Sequence, residues 1–271
     1  MVSPQVWAGR DAVRIQQKWF STPLSSRTSG WVRAVEYRNN LRTWSRIAPW
    51  APAGSRLLEI GVGSGSFLEL ARRRNLNVAG CDISAPICRD VERRLGIKMF
   101  DGGIEQIPSS ESYNVIVANH VLEHSSDPLK FLSVIRKHLT DTGVLHIVVP
   151  NIDCWSAYLP GWYSYLPYHF VYFSRLTLNR ALNQSGFEII RVMTHETFSG
   201  WLLSTVRSLR QRNHSNIDDT SQVKSVNISK SVLWPIAVLI GGLTLPLRRL
   251  QGLLGYGDEL AALARRARDG Q

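Results

Sequence analysis

The sequence predicts an α/β fold, a doubly wound and mostly parallel sheet, and three observations carry that prediction. From Arg56 onward, short apolar runs alternate with helical segments. Gly61, Gly63 and Gly65 stand between the first run and the first helix, and Asp82 closes the second run. Strands that alternate with helices of about 10–15 residues make βαβ units with right-handed crossovers.

The elements follow in order. Residues 6–20 and 31–50 read as two amphipathic helical stretches, joined by a Ser/Thr/Pro/Gly-rich loop over 21–30 and followed by Pro52. Residues 57–60 are a buried-strand candidate, and 66–74 a helix ending on three arginines. Residues 77–81 form a second strand, and 85–95 a helix with Ser84 at its N-cap and Pro86 in its first turn. Residues 98–100 and 113–118 are the third and fourth strands. Asp127 caps a helix running to 139, and 143–149 is the fifth strand. A helix over 174–185, stopped by Gly186, leads to a strand over 187–194. Residues 210–230 read as a polar loop, 232–247 as strongly apolar, and 259–265 as a strand or a helix. The chain thus divides into an N-terminal helical extension (1–50), a core (51–195), and a hydrophobic, basic insert with a closing strand (196–271).

Composition narrows the function classes. At 271 residues, with 44% hydrophobic and 20% charged side chains, the chain is globular and not a disordered polyelectrolyte. Its three cysteines, Cys81, Cys88 and Cys154, have no C-x-x-C spacing, which excludes a disulfide framework and a thiolate zinc site. A reduced, cytoplasmic setting is expected, and the first residues show no basic and apolar leader pattern. The formal charge of +11 is confined to the flanks. Residues 1–50 hold 8 basic and 2 acidic side chains, 51–200 hold 14 of each, and 201–271 hold 10 and 5. No zinc-finger, helix-turn-helix or RNP pattern accompanies this charge, so no nucleic acid is expected. The basic flanks suit an anionic surface or an acidic substrate.

The strongest motif is Leu57-Leu58-Glu59-Ile60-Gly61-Val62-Gly63-Ser64-Gly65-Ser66. Between strand and helix, glycines let backbone N–H groups approach a ligand at the helix N-terminus. Asp82 ends the next strand, where a carboxylate can accept both hydroxyls of an adenosine ribose. A dinucleotide loop prefers Gly or Ala where Ser66 stands, and a P-loop needs a lysine that this loop lacks. Glu59 beside the loop suits a ligand with a cationic amine better than one with a pyrophosphate.

With these residues the sequence resembles the class I S-adenosylmethionine-dependent methyltransferases, nearest to those of quinone, sugar and lipid pathways. Further matching residues are Glu105-Gln106-Ile107-Pro108, Tyr113 through His124, Asp127-Pro128, Leu139 through Gly143, and Pro150-Asn151. His169-Phe170-Val171-Tyr172-Phe173-Ser174, Leu178 and Gly186-Phe187-Glu188 continue the likeness, which covers about 55–195. The resemblance implies a seven-stranded Rossmann-like sheet closed by a strand at 257–260, and S-adenosylmethionine as cofactor. It places Glu59 near the methionine amine, Gly61, Gly63 and Gly65 against the methionine backbone, Asp82 on the ribose and Ile83 on the adenine. Asn119 and His120 would line the cofactor and face the substrate. An acid that the family often uses on the adenine amine is replaced here by Gly103. Asp101, or backbone groups around Gly103 and Ile104, would take its place.

His120-Val121-Leu122-Glu123-His124 matches H-x-x-E-H, a zinc-peptidase pattern. It begins at a strand end, meets Asp127-Pro128 at once and has no third ligand on a helix, so no metal is expected. His120 and His169 fall where ligands bind in such sheets. Either could orient or deprotonate an acceptor hydroxyl, or serve as a hydrogen-bonded structural histidine. Trp155, Trp162, Tyr163, Tyr165 and Tyr168 read equally as a pocket wall or an aromatic core.

Between Lys230 and Arg248 lie 17 uncharged residues, including two prolines and a glycine pair. A straight helix of that length reaches about 25 Å, short of a roughly 30 Å hydrocarbon core. The stretch therefore reads as a buried or homodimer-forming insert, or as a helix lying on an anionic membrane between Lys230, Arg248 and Arg249. The expected function is methyl transfer to a small-molecule acceptor, a hydroxyl of a lipid-linked, glycan or quinone-type metabolite. The alternatives are an NAD-dependent oxidoreductase and a catalytically silent, membrane-associated binding protein.

Overall fold

The computed structural model describes residues 30–166, 168–213 and 239–267. The helix expected over 6–20, most of the polar loop expected over 210–230 and the first part of the apolar stretch lie outside the described residues. The chain forms two compact units, one of Met1–Val149, Pro167–Val192 and Ala261–Gln271, the other of Pro150–Leu166 and Met193–Leu260.

In the first unit α1 (Gly30–Ile47) precedes β1 (Arg56–Ile60), α2 (Ser66–Arg73), β2 (Asn77–Asp82), α3 (Ala85–Leu95) and β3 (Lys98–Asp101). Next come β4 (Tyr113–Asn119), α4 (Pro128–His138), β5 (Leu139–Pro150), α5 (Arg175–Gln184), β6 (Phe187–His195) and β7 (Glu259–Arg266), of which the last residue of β5, the end of β6 and the start of β7 are counted in the second unit. The seven strands make one sheet of order β3-β2-β1-β4-β5-β7-β6. β1 pairs in parallel with both β2 and β4, which are not successive in the chain. The strand order therefore reverses at β1, and the crevice beyond the strand ends there is where such sheets bind ligands.

Parallel strands covered on both faces read as apolar runs. Leu57, Leu58, Val115, Ile116 and Val117 are accordingly fully enclosed. α2 turns Phe67, Leu68, Leu70 and Ala71 inward and carries Arg72 and Arg73 in its last turn, where cations suit the helix dipole. α3 stops at Gly96, whose φ of 61° is the left-handed cap that glycine adopts without strain. Asp127 caps α4 by accepting from Lys130 N at 3.0 Å, and Ser174 and Thr177 form a reciprocal capping box on α5.

Some boundaries differ from the sequence expectation. β5 begins at Leu139 instead of 143: residues 140–142, which lie between the expected helix and strand, are an irregularity inside it, where Tyr113 opposes Leu139 but Val115 opposes Val144. β7 is a strand throughout and begins at Glu259, because Gly257 and Asp258 are engaged in loop bonds. The Gly257 carbonyl accepts from the Asn151 amide at 2.8 Å, and the Asp258 carboxylate accepts from Thr197 N at 2.7 Å. Ser84 holds the N-cap position of α3 without a side-chain cap bond.

The second unit contains α6 (Phe198–Asn213) and, after a helical turn over 239–243, α7 (Leu245–Leu253). Within it Glu196 is fully enclosed beside Asp258; burial and then that neighbouring charge push its pKa up to about 8. Arg248, read from the sequence as a surface flank, is buried instead. Its guanidinium donates to the Gly241 carbonyl at 2.6 Å and lies over the Phe198 ring. Trp155 and Trp162 belong to this unit, with Trp162 buried and Trp155 tilted against Trp201. Among the described residues no helix is long and apolar enough to cross a membrane.

Candidate active site

The loop after β1 is built on left-handed backbone. Gly61, Gly63 and Gly65 have φ of 73°, 55° and 77°, a region L side chains enter at a cost of roughly 1–2 kcal/mol. A Cβ on Gly61 would stand 2.6 Å from Val121 Cγ2, whereas one on Gly63 would meet nothing within 4 Å among the described residues. Gly63 thus presents bare backbone at the N-terminal side of α2.

Asp82 ties this loop to the next one. Its Oδ2 accepts from Gly63 N at 3.3 Å and its Oδ1 from Ser84 N at 2.9 Å. Burial raises the Asp82 pKa, opposed by the N–H groups of Ser84, Gly63 and Val62. Glu59 is held well above the ordinary glutamate range, first by burial and then by the Asp82 and Glu36 carboxylates. Its Oε2 is buried without a hydrogen-bond partner among the described residues. An enclosed group of acids with an unfilled acceptor fits a ligand that brings positive charge and hydrogens to donate.

Three residues that the sequence reading missed complete the loop's surroundings. Glu36 accepts from the hydroxyls of Ser64 and Ser66, and Asn40 donates to Ser66 Oγ at 2.8 Å. Thr43 Oγ1 accepts from Asn119 Nδ2 at 3.2 Å, and Asn119 Oδ1 accepts from His146 Nδ1 at 3.1 Å. His146 is fully buried, so this chain of bonds fixes the Asn119 amide at the end of β4. The available signal was the i, i+4, i+7 spacing of Glu36, Asn40 and Thr43, which puts them on one helix face.

The other expected residues are distributed as follows. Ile83 is 56% exposed beside Asp82, and Asp101 stands opposite Asp82 in the β2–β3 register. Gly103 caps the short turn Ile104–Gln106, and Ile104 is fully enclosed, leaving only its backbone for a ligand. His120 has a left-handed φ of 56°, donates its N–H to the Val148 carbonyl at 2.8 Å and keeps a half-exposed ring. Its Nδ1 lies 3.4 Å from Glu123 Oε1. His169 sits edge-on to His124, with ring centres 4.8 Å apart. The structure therefore gathers Glu59, the glycine loop, Asp82 and Ile83 in one segment, and His120 and His169 around Glu123.

This sheet order, with a glycine loop after β1 and acids at the ends of β1 and β2, defines the methyltransferase form of the doubly wound fold. Residues 32–192 match the family model described as a methyltransferase domain. The chain belongs to the class I S-adenosylmethionine-dependent methyltransferases, the enzyme family whose cofactor is S-adenosylmethionine. It is 26% identical over 181 residues to a tRNA U34 carboxymethyltransferase from Idiomarina loihiensis, a match spanning 61% of this chain and 55% of that one. The fold is shared with an S-adenosylmethionine-dependent methyltransferase from Archaeoglobus fulgidus (TM-score 0.55, 19% identity, 94% of this chain and 99% of that one). It is also shared with the [4+2]-cyclase SpnF (TM-score 0.51, 19% identity, 83% and 80%).

Proposed function

We propose that the chain transfers a methyl group from S-adenosylmethionine to an oxygen of a small acceptor. The observation that carries this reading is Glu59, a buried acid with an acceptor atom that has no partner among the described residues, beside a loop built on left-handed glycines. When bound, the cofactor supplies a sulfonium methyl group, which the acceptor oxygen takes as the carbon–sulfur bond breaks and its electron pair stays on sulfur. Glu59 accepts from the methionine ammonium, and the backbone of Gly61, Gly63 and Gly65 lies along that moiety. Asp82 accepts from the ribose hydroxyls while Ile83 covers the adenine. Asp101, or the backbone of Gly103 and Ile104, meets the adenine amine, and Asn119 lines the cofactor. His120 orients the acceptor hydroxyl and takes its proton; His169, edge-on to His124, is less open for that task.

A thermal-shift comparison tests this reading: S-adenosylhomocysteine is expected to stabilise the chain and NAD not to. Stabilisation by NAD alone overturns it, and cofactor binding without turnover on any acceptor leaves a silent binding protein. Replacing His120 with alanine is expected to lower kcat by about 10²–10⁴-fold, the usual worth of a general base, with S-adenosylhomocysteine affinity little changed. Normal turnover in that variant would return His120 to a structural role.

The acceptor class follows from charge and apolar surface. The cofactor region, 51–200, is electrically balanced, which favours a small acceptor over the tRNA named for the Idiomarina loihiensis relative. In the second unit Leu239, Leu243, Leu247, Leu250, Leu253 and Leu254 are all exposed, with Leu253 85% so, and exposed Arg249 stands among them. Their spacing runs along one side of consecutive helical turns. Such a row suits the interface of an anionic membrane, where a lipid-linked acceptor would reside on the cytoplasmic face. Weak, salt-sensitive co-sedimentation with phosphatidylglycerol-containing vesicles is expected, and Leu247→Glu with Leu250→Glu should abolish it. Concentration-dependent dimerisation without sedimentation at low salt would assign the leucines to a second copy instead.

A further inference from the structure

We propose that Glu123, His124 and His169 form a binding site for a divalent transition-metal ion. One carboxylate oxygen and two imidazole nitrogens from these residues lie within 4.8 Å of one another. Two chain segments distant in sequence are locked together there: Phe170 N and Val171 N both donate to the Glu123 carbonyl, at 2.9 and 3.2 Å. The convergence is therefore built into the backbone and not left to side-chain chance.

Glu123 points to what the cluster holds. The residue is fully enclosed, and neither carboxylate oxygen has a hydrogen-bond partner among the described residues. The nitrogen of His120 at 3.4 Å is farther than the roughly 2.7–2.9 Å of a charge-assisted bond. A buried carboxylate so placed recovers its lost hydration from a cation. His124 is prepared in the same sense. Its Nδ1 lies 3.0 Å from the Tyr168 carbonyl, which can only accept, so Nδ1 carries the hydrogen and Nε2 the lone pair. Metal-bound imidazoles are held this way, by an outer hydrogen bond from the other ring nitrogen.

The H-x-x-E-H pattern thus misleads in its ligands. The third donor comes from the loop at His169 instead of a helix, and His120 stands at the edge of the cluster. Two imidazoles and one carboxylate suit zinc, cobalt, iron or manganese better than magnesium or calcium. Donors around a tetrahedral zinc lie about 3.3 Å apart, so an ion draws the three side chains inward. Three protein ligands leave a position open next to the end of β4. Resting on the methyl-transfer reading, an ion held there would supply Lewis acidity to an acceptor hydroxyl, whose proton would pass to His120 as the oxygen–carbon bond forms and the carbon–sulfur bond breaks.

The test is a titration of the full, chelator-treated chain with Co²⁺ alone, read by visible absorption and calorimetry, with Zn²⁺ as competitor. One equivalent is expected, displaced by Zn²⁺. Glu123→Gln and His169→Ala should each weaken it by more than about 100-fold, beyond what an outer-partner change does. A thermal shift with S-adenosylhomocysteine, retained in both variants, shows that they fold. No saturable uptake by the wild-type chain, or uptake unchanged in both variants, overturns the site. Cobalt binding without any response to S-adenosylhomocysteine would sustain the metal site while the methyl-transfer reading falls.

Discussion

Alanine in place of Asp82 is expected to lower the affinity for S-adenosylhomocysteine by about 100- to 10,000-fold, measured by calorimetry. Two ribose hydroxyls donating to one carboxylate make two charge-assisted bonds, each worth about 1.5–3 kcal/mol, and about 1.4 kcal/mol is tenfold in affinity. The same carboxylate holds Gly63 N and Ser84 N, so truncation also loosens the glycine loop and leaves two donors without their acceptor. Thermal stability should fall as well, because those two donors lose their acceptor, a loss offset in part because burial already disfavours the charged form of Asp82. Asp82→Asn, which keeps the shape and one acceptor oxygen, should fall between the two. An alanine variant that binds within threefold of the wild type would show that the ribose lies elsewhere.

The parts of this fold that were legible in the sequence are those written in local pattern. β1, β2 and β4 are apolar runs because both sheet faces are covered, and α3 and α4 carry Pro in the first turn after a capping position. The glycine loop and Asp82 were legible for the same reason, since one turn and one strand end specify them. α6 was not, because Ser, Thr and Arg along Phe198–Asn213 dilute its apolar spacing. Arg248 read as a surface charge because nothing near it in sequence discloses the Phe198 ring or the Gly241 carbonyl. The contacts of Thr43 with Asn119, and of His146 with Asn119, join separate elements. The same holds for Glu123 and His169. Such pairings are set by sheet order and crossover, so no window of neighbouring residues encodes them.

Binding of S-adenosylhomocysteine is expected to release a proton and to tighten as pH rises, with Glu59 the source of both effects. In the ligand-free chain burial, then Asp82 and Glu36, hold the Glu59 pKa well above its ordinary value of 4.5. A ligand ammonium binds the carboxylate form, so it must expel any proton held there. Below the raised pKa affinity should climb by up to tenfold per pH unit, then level off above it. Stability of the ligand-free chain runs the opposite way. Between 4.5 and the raised value the folded state holds a proton that the unfolded state has lost, so stability falls as pH rises through that window. Glu59→Gln should remove the stability slope and the proton release together. It should also cost about 10- to 100-fold in affinity on the plateau, the worth of one charge-assisted bond. Calorimetry in two buffers of different ionisation enthalpy measures the released proton directly. Equal heats in both buffers, with a glutamine variant that binds as the wild type does, would mean that the cation is held by other groups. Glu59 would then remain a buried acid that α1 and β2 oblige the fold to carry, and the ligand's positive charge would have to face Asp82 instead.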